Sequence, residues 1–408
     1  MSVVRNIGSR TDDIRLHFIA SPPFVETSRA VMPDTVPVIE WPHALRAPVT
    51  SIVQSETWAK LRSRLGPLQP AFDYGVWFRR AIAVSKAIAK AEDCDAILAK
   101  SGIEVVHFGW PMTFATRLPF IYEPHDLQHR HYPDFFPKEV LRWRESVYGP
   151  GCRNAAFVVC GTWWTKHDIM RQYGVPSERV AVIPRSSVNA RSAVEPEREQ
   201  EIVAAHALDR PFALYPAMTF MHKNHMRLIA AVRQLRDSGG PRIRIICTGR
   251  KIQPAWGDIQ KAITETKLDD QVQFLGTVPD DTLTILYKRA AYLVFPSLFE
   301  GHSQSLLEGL HQGLPVVAAQ QSSIPETVGK AGLYFDGQST EAIALALAEA
   351  HMRPDFLGRL RKATAGETAR YEWSDAAETF VAVYRKAAGR ELTSAQSERL
   401  AVAIRRDQ

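Results

Sequence analysis

The chain has 408 residues, more than one hydrophobic core usually serves, so two domains are expected. With 45% hydrophobic and 23% charged residues, its composition is that of a globular protein and excludes disorder as the default. Lys plus Arg outnumber Asp plus Glu by 50 to 44, a net charge of +6 that favours anionic partners; the lack of zinc-finger spacing or an aromatic RNA-binding signature argues against nucleic acid.

The opening stretch MSVVRNIGSR lacks a signal peptide's apolar core, and Leu16 to Ala20 is the first strand-like run. Residues 22–70 hold eight prolines and little periodicity, and read as long loops with short helices. Strand-like runs follow at Glu104 to Phe108, Phe120 to Glu123, Phe157 to Cys160 and Val180 to Ile183, alternating with helical stretches. The polar, charged segment Arg185 to Gln200 reads as an interdomain linker. The rhythm then resumes with Phe212 to Tyr215, Ile243 to Cys247, Val272 to Leu275, Tyr292 to Phe295, Val316 to Ala318 and Leu333 to Phe335. Such alternation predicts parallel sheets covered by helices, with ligands at the carboxyl ends of the strands. Ala376 to Ala388 and Thr393 to Arg406 read as terminal helices; Leu400, Val402 and Ile404, with Arg399, Arg405 and Arg406, give the second a face that suits either solvent or a membrane surface. No apolar run approaches the roughly 20 residues that span a bilayer, so a soluble protein, at most peripheral to a membrane, is expected. Cys94, Cys152, Cys160 and Cys247 lack paired spacing and fit free thiols in a reducing cytosol.

The most informative stretch is Phe295 to Glu308, FPSLFEGHSQSLLE, where Glu300 and Glu308 stand at the two ends of a strand-to-helix turn. A helix starting near Ser305 offers backbone N–H groups to a diphosphate, while Glu308, about one turn inside, can accept both hydroxyls of a ribose. An isolated pair would read as two solvated glutamates. The surrounding blocks decide otherwise. Gly313-Leu314-Pro315-Val316-Val317 and Pro325-Glu326-Thr327-Val328-Gly329 follow the glutamates; His222-Lys223-Asn224-His225 and Asp280-Asp281 precede them; His125-Asp126-Leu127-Gln128-His129 stands in the front half. In this order and spacing they resemble the retaining GT-B glycosyltransferases of the group 1 and family 4 type, and most closely bacterial polysaccharide mannosyltransferases.

The resemblance implies an α/β GT-B fold of two doubly wound Rossmann-like domains across a cleft. The expected extents are 1–190 for an acceptor-side domain, 191–372 for a nucleotide-sugar domain and 373–408 for helices crossing back to the first. It departs at the start, where Val3 to Asn6 reads as the end of a helix and no glycine stands between Gly8 and Gly66, so the usual first strand and glycine-rich turn are absent or omitted. The implied roles are these. Lys223 neutralises the leaving diphosphate, Glu300 binds donor-sugar hydroxyls, Glu308 holds the ribose, and His125 sits beside the reacting sugar. Relatives often carry an arginine where Met218 stands; Arg250 is the candidate substitute. Gly301, Ser303, Ser305 and Leu306 line the phosphate turn, which departs from the commoner Gly-Phe-Gly pattern. Asp126 either orients His125 or caps the next helix, and His129 and His131 read as local surface histidines rather than metal ligands.

The implied activity is retaining, metal-independent transfer of a hexose from a nucleotide-diphosphate sugar, GDP-mannose favoured over UDP- or dTDP-sugars. The acceptor is a glycan or lipid-linked glycan in surface polysaccharide synthesis, reached in the cytoplasm with peripheral contact to the inner membrane surface left open. The alternatives are a catalytically silent GT-B scaffold or regulatory subunit, a phosphorylase or epimerase of the same fold, and a nucleic-acid binder.

Overall fold

The computed structural model describes residues 14–20, 38–40, 91–187 and 194–405. Two parallel sheets dominate it. The front sheet has four strands in the order β3 (Val106–Phe108), β4 (Phe120–Tyr122), β5 (Phe157–Cys160) and β6 (Val180–Val182). The back sheet has six: β7 (Ala213–Pro216), β8 (Ile245–Thr248), β9 (Val272–Gly276), β10 (Tyr292–Phe295), β11 (Val316–Ala319) and β12 (Gly332–Phe335). The central back strands are near-continuous apolar runs, such as YLVF in β10, because helices cover both faces and leave no solvent side for polar residues.

The back sheet's spatial order is β12-β11-β10-β7-β8-β9. Counted within that sheet this is the doubly wound order 3-2-1-4-5-6 read from β9, so the winding reverses between β7 and β10. Its core is one continuous cluster, running from Ile202 through Leu214, Leu293 and Val317 to Leu347.

The front sheet is finished differently. One face packs on its own helices α1 (Ala91–Lys100), α2 (Lys138–Asn154) and α3 (Trp163–Tyr173), through a cluster holding Leu98, Tyr148, Cys152 and Ile169. The other face, Ile121, Phe157, Val159, Ala181 and Ile183, is covered by the last two helices of the chain, which contribute Phe380, Val381, Val383, Leu400 and Ala403. Lys166, 2% exposed on α3, donates to the carbonyls of Ser177, Val180 and Ile404 at 2.9, 2.6 and 2.5 Å. Its charge thereby meets the carbonyl end of the final helix, where the helix dipole favours a cation.

Four readings from sequence are corrected or completed here. Val38–Glu40, placed among proline-rich loops, is a strand (β2) paired in parallel with β1 (Phe18–Ala20); the rest of 22–70 lies outside the described residues, as does Val3 to Asn6. The end of the expected linker is already helix: Pro196 begins α4 (Pro196–His206), its missing N–H costing nothing at a first helical position. The final helix, Ser394–Ile404, is capped by a Thr393–Gln396 box and turns Leu400, Ala403 and Ile404 onto the front sheet, so that of the proposed membrane face Val402, 59% exposed, is what remains. Cys152, Cys160 and Cys247 are buried free thiols. No helix among the described residues is long and apolar enough to cross a membrane.

Candidate functional site

Strand reversal leaves a crevice at the carboxyl ends of β7 and β10, and the loops leaving those two strands supply Lys223 and Glu300. Lys223 Nζ donates to Glu300 Oε1 at 2.6 Å, and the ammonium lies 5.7 Å from the Phe295 ring centroid. Both loops are pinned from beneath. Tyr215 donates to the Lys223 carbonyl at 2.6 Å, and the Leu298 N–H to the His222 carbonyl at 2.8 Å. Asn224 adopts φ 61°, a left-handed conformation that asparagine tolerates, and its amide donates to the Pro296 and Gly337 carbonyls at 3.0 and 2.8 Å. Ser322 Oγ accepts the Glu300 N–H and Ser323 Oγ donates to the Glu300 carbonyl, each at 2.8 Å.

After Glu300 the chain turns into α5, Gln304–His311, with Ser303 at the N-cap making no side-chain cap bond. The first-turn N–H groups, those of Ser305 and Leu306 among them, have no intrahelical acceptor by helix geometry. Leu306 can contribute only its backbone, since its side chain is buried in the back core. Glu308 lies one turn in, its Oε2 accepting from Tyr287 at 2.9 Å. Arg250 follows β8 with an exposed side chain, its carbonyl accepting the Thr219 N–H at 3.1 Å. Gly249, at φ 114°, has room for no side chain there: a Cβ would stand 2.8 Å from the Ala217 backbone. Met218, where relatives carry arginine, is 38% exposed.

The front unit meets this turn directly. His125 has φ 62°, and its carbonyl lies so close to Gly301 that a Cβ there would collide with it. Burial lowers the His125 pKa, partly offset by Glu123, and the Gly109 carbonyl is placed to accept a hydrogen bond from the ring. His125 Nε2 is buried without a partner. Thr162 and Thr165 both donate to the Gly301 carbonyl, at 3.1 and 3.2 Å. Glu326, from the back unit, accepts the N–H groups of Trp163 and Trp164 at 2.7 and 2.8 Å, placing a carboxylate on the start of front helix α3. His302 Nε2 lies 3.0 Å from the Arg185 carbonyl, and its ring fills the space a Cβ on Gly161 would need.

Behind His125 is a network that the sequence reading missed. Arg185 Nη1 donates to Glu123 Oε2 at 2.6 Å, His107 Nε2 lies 3.0 Å from Glu123 Oε1, and His107 Nδ1 lies 2.7 Å from the Tyr384 hydroxyl. Burial pushes the Glu123 carboxyl up, yet Arg185 and His107 together hold it at about 2. His107 and Glu123 are 16 residues apart, but Arg185 is 62 residues from Glu123 and Tyr384 277 from His107, so no local pattern flags the network.

Asp126 accepts the Gln128 N–H at 2.9 Å from the position before Leu127, the N-cap of the short helix Gln128–His131. His129 is not a surface histidine, being 2% exposed and bonding Glu145 at 2.9 Å; His131, partly exposed, bonds buried Asp168 at 2.8 Å, so carboxylate partners account for both. Among the described residues no group of three His, Cys, Asp or Glu has metal-holding geometry.

A doubly wound unit faced by a second parallel α/β unit is the architecture of the GT-B glycosyltransferases. Residues 54–186 match the domain described as Glycosyltransferase Family 4 and residues 197–366 that described as Glycosyl transferases group 1; the chain belongs to this family. It is 26% identical over 223 residues to the O-antigen chain mannosyltransferase B of Escherichia coli, covering 54% of this chain and 58% of that protein. It is 25% identical over 252 residues to the O-antigen chain mannosyltransferase RfbU of Salmonella typhimurium, covering 62% and 65%. The matched region thus spans less than two thirds of either relative. Among solved structures, a glycosyltransferase of Rickettsia africae superposes with a TM-score of 0.66 at 15% identity, covering 95% of this chain and 94% of that one. HepE of Anabaena, solved with UDP and glucose, gives 0.64 at 16% identity, covering 94% and 95%.

Proposed function

We propose that this protein transfers a hexosyl residue, mannose in first place, from a nucleotide-diphosphate sugar to a saccharide or lipid-linked saccharide, with retention of anomeric configuration and without a metal. The observation that carries this reading is the Lys223–Glu300 pair at the strand reversal, with Glu308 one helical turn away. The names of the mannosyltransferase relatives support mannose; the UDP complex of HepE supports a nucleotide-sugar donor while leaving the base open.

In this reading the diphosphate lies on the start of α5, where backbone N–H groups and the helix dipole meet its charge. Lys223 neutralises the charge that grows on the leaving group, Glu300 accepts hydroxyls of the donor sugar, and Glu308 accepts those of the ribose. Arg250 stands in for the arginine absent at Met218. His125 stands beside the reacting sugar. The acceptor attacks the face from which the diphosphate departs, a phosphate oxygen assisting its deprotonation, so no covalent enzyme intermediate forms. The reaction belongs at the cytoplasmic face of the membrane, where a lipid-linked acceptor would present its saccharide.

Thermal stabilisation by GDP, UDP and dTDP with their sugars tests this. A shift with one nucleotide names the donor class; no shift with any of them removes the enzyme reading. A silent scaffold is the second reading, motivated by Met218, and it predicts nucleotide binding without turnover of any nucleotide sugar.

A further inference from the structure

Trp110 is the most exposed large apolar side chain described, at 68%, yet the loop that carries it is firmly held. It follows the carboxyl end of β3, the strand beside the one that leads into His125. Phe108, two residues earlier, packs edge-on against Phe114 and Phe120 with centroids 4.8 and 5.4 Å apart. The Met112 N–H bonds the Trp110 carbonyl at 2.6 Å, and the far end of the loop is tied to Asp95 by Thr116 Oγ1 at 2.6 Å and the Arg117 N–H at 2.9 Å. The indole meets the His125 ring edge to face, centroids 5.6 Å apart at 71°. A fixed aromatic face left in water suits a binding role.

We propose that Trp110 is a stacking platform for a pyranose ring of the acceptor, a proposal that rests on the saccharide-acceptor reading above. One face of a pyranose presents C–H groups whose positive edges suit the negative π-face of an indole, while its hydroxyls stay at the rim. Gly301 lies directly against the His125 carbonyl, so a ring on Trp110 shares the cleft with the turn that follows Glu300. Ring stacking supplies affinity and leaves the hydroxyls at the rim free to face the reacting centre.

The test measures saccharide binding directly, by calorimetry with methyl α-mannopyranoside and a mannobiose, alongside acceptor kinetics, acceptor-free hydrolysis of the donor and retention on anionic vesicles. In W110A the saccharide Kd and acceptor KM should rise about tenfold or more, and in W110F by less than about threefold, as loss or retention of an aromatic face requires. Nucleotide-induced stabilisation should not change. Unaltered saccharide binding in W110A overturns the proposal. So does W110A losing vesicle retention alone, which makes the loop a membrane contact. If the wild-type chain turns over no nucleotide sugar but binds saccharide through Trp110, the platform stands and the transfer reading falls.

Discussion

The two sheets are made of equally short parallel strands, but they close their second faces by opposite means. The back sheet is sealed by helices from its own stretch of chain, and one cluster from Ile202 to Ala350 encloses both faces. The front sheet seals one face locally and leaves the other to Phe380, Val381 and Leu400, more than 190 residues beyond its last strand at Val182. Function is divided in the same way. Lys223, Glu300 and Glu308 stand on loops and a helix of the back sheet, within one segment. On the front side, His125 is backed by Glu123, Arg185, His107 and Tyr384, brought together only by tertiary folding. A site on a self-contained sheet can be read as local motifs; a site on a sheet completed from afar cannot.

The largest effect that would break this contrast comes from Phe380, which is fully buried between the terminal helix and the front sheet. Phe380→Ala should cost about 3–5 kcal/mol, expressed as lost amide-exchange protection in β4 and β5 while β7 and β10 keep theirs. Equal loss in both sheets would show that they do not close separately. Next in size, Lys223→Ala and Glu308→Ala should each reduce donor kcat/KM by about 10²-fold, since each removes a charge-assisted contact. Near-normal kinetics in both variants would sink the donor-site assignment.

The smallest effect sharpens the comparison by pH. Glu123 is held at about 2 against an ordinary 4.5, so its contribution is full above 4.5 and is lost as pH falls toward 2. Buried His225 and His302 are each pushed by burial to about 3 from an ordinary 6.5, so their contribution is full above 6.5 and fades as pH falls through 3. Burial pushes His129 of the front unit down to about 4 as well, so acid loosens both units below pH 6.5. Glu123→Gln should flatten the fall in Tm between pH 4.5 and 3 and leave the part above pH 4.5 unchanged; an identical profile in the variant would mean the carboxylate is not coupled to folding.

Much of the fold was legible in the sequence because buried parallel strands are continuous apolar runs. Phe157–Cys160 and Tyr292–Phe295 have the bounds their patterns predict. Val38–Glu40 was hidden because three residues flanked by Pro37 and Pro42 show no period. The reading of Lys223, Glu300 and Glu308 rested on motif spacing, and their loops do converge at the strand reversal. Glu326 was seen as part of a motif, but its bonds to Trp163 and Trp164 depend on a helix about 160 residues earlier. His302, standing where relatives carry phenylalanine, gave only a departure from pattern; the Gly161 hollow that receives it belongs to the other unit.

That the front sheet borrows its second cover from the end of the chain reverses the usual order of events on a ribosome, where the domain made first folds first. The strands ending at Val182 emerge early, yet Ile121, Phe157 and Val159 stay uncovered until the helix carrying Phe380 has been made. The back unit, sealed by its own helices, can finish while the earlier half still waits. A premature stop between Thr368 and Phe380 would therefore release a chain with its later half folded and its earlier half exposing an apolar sheet face.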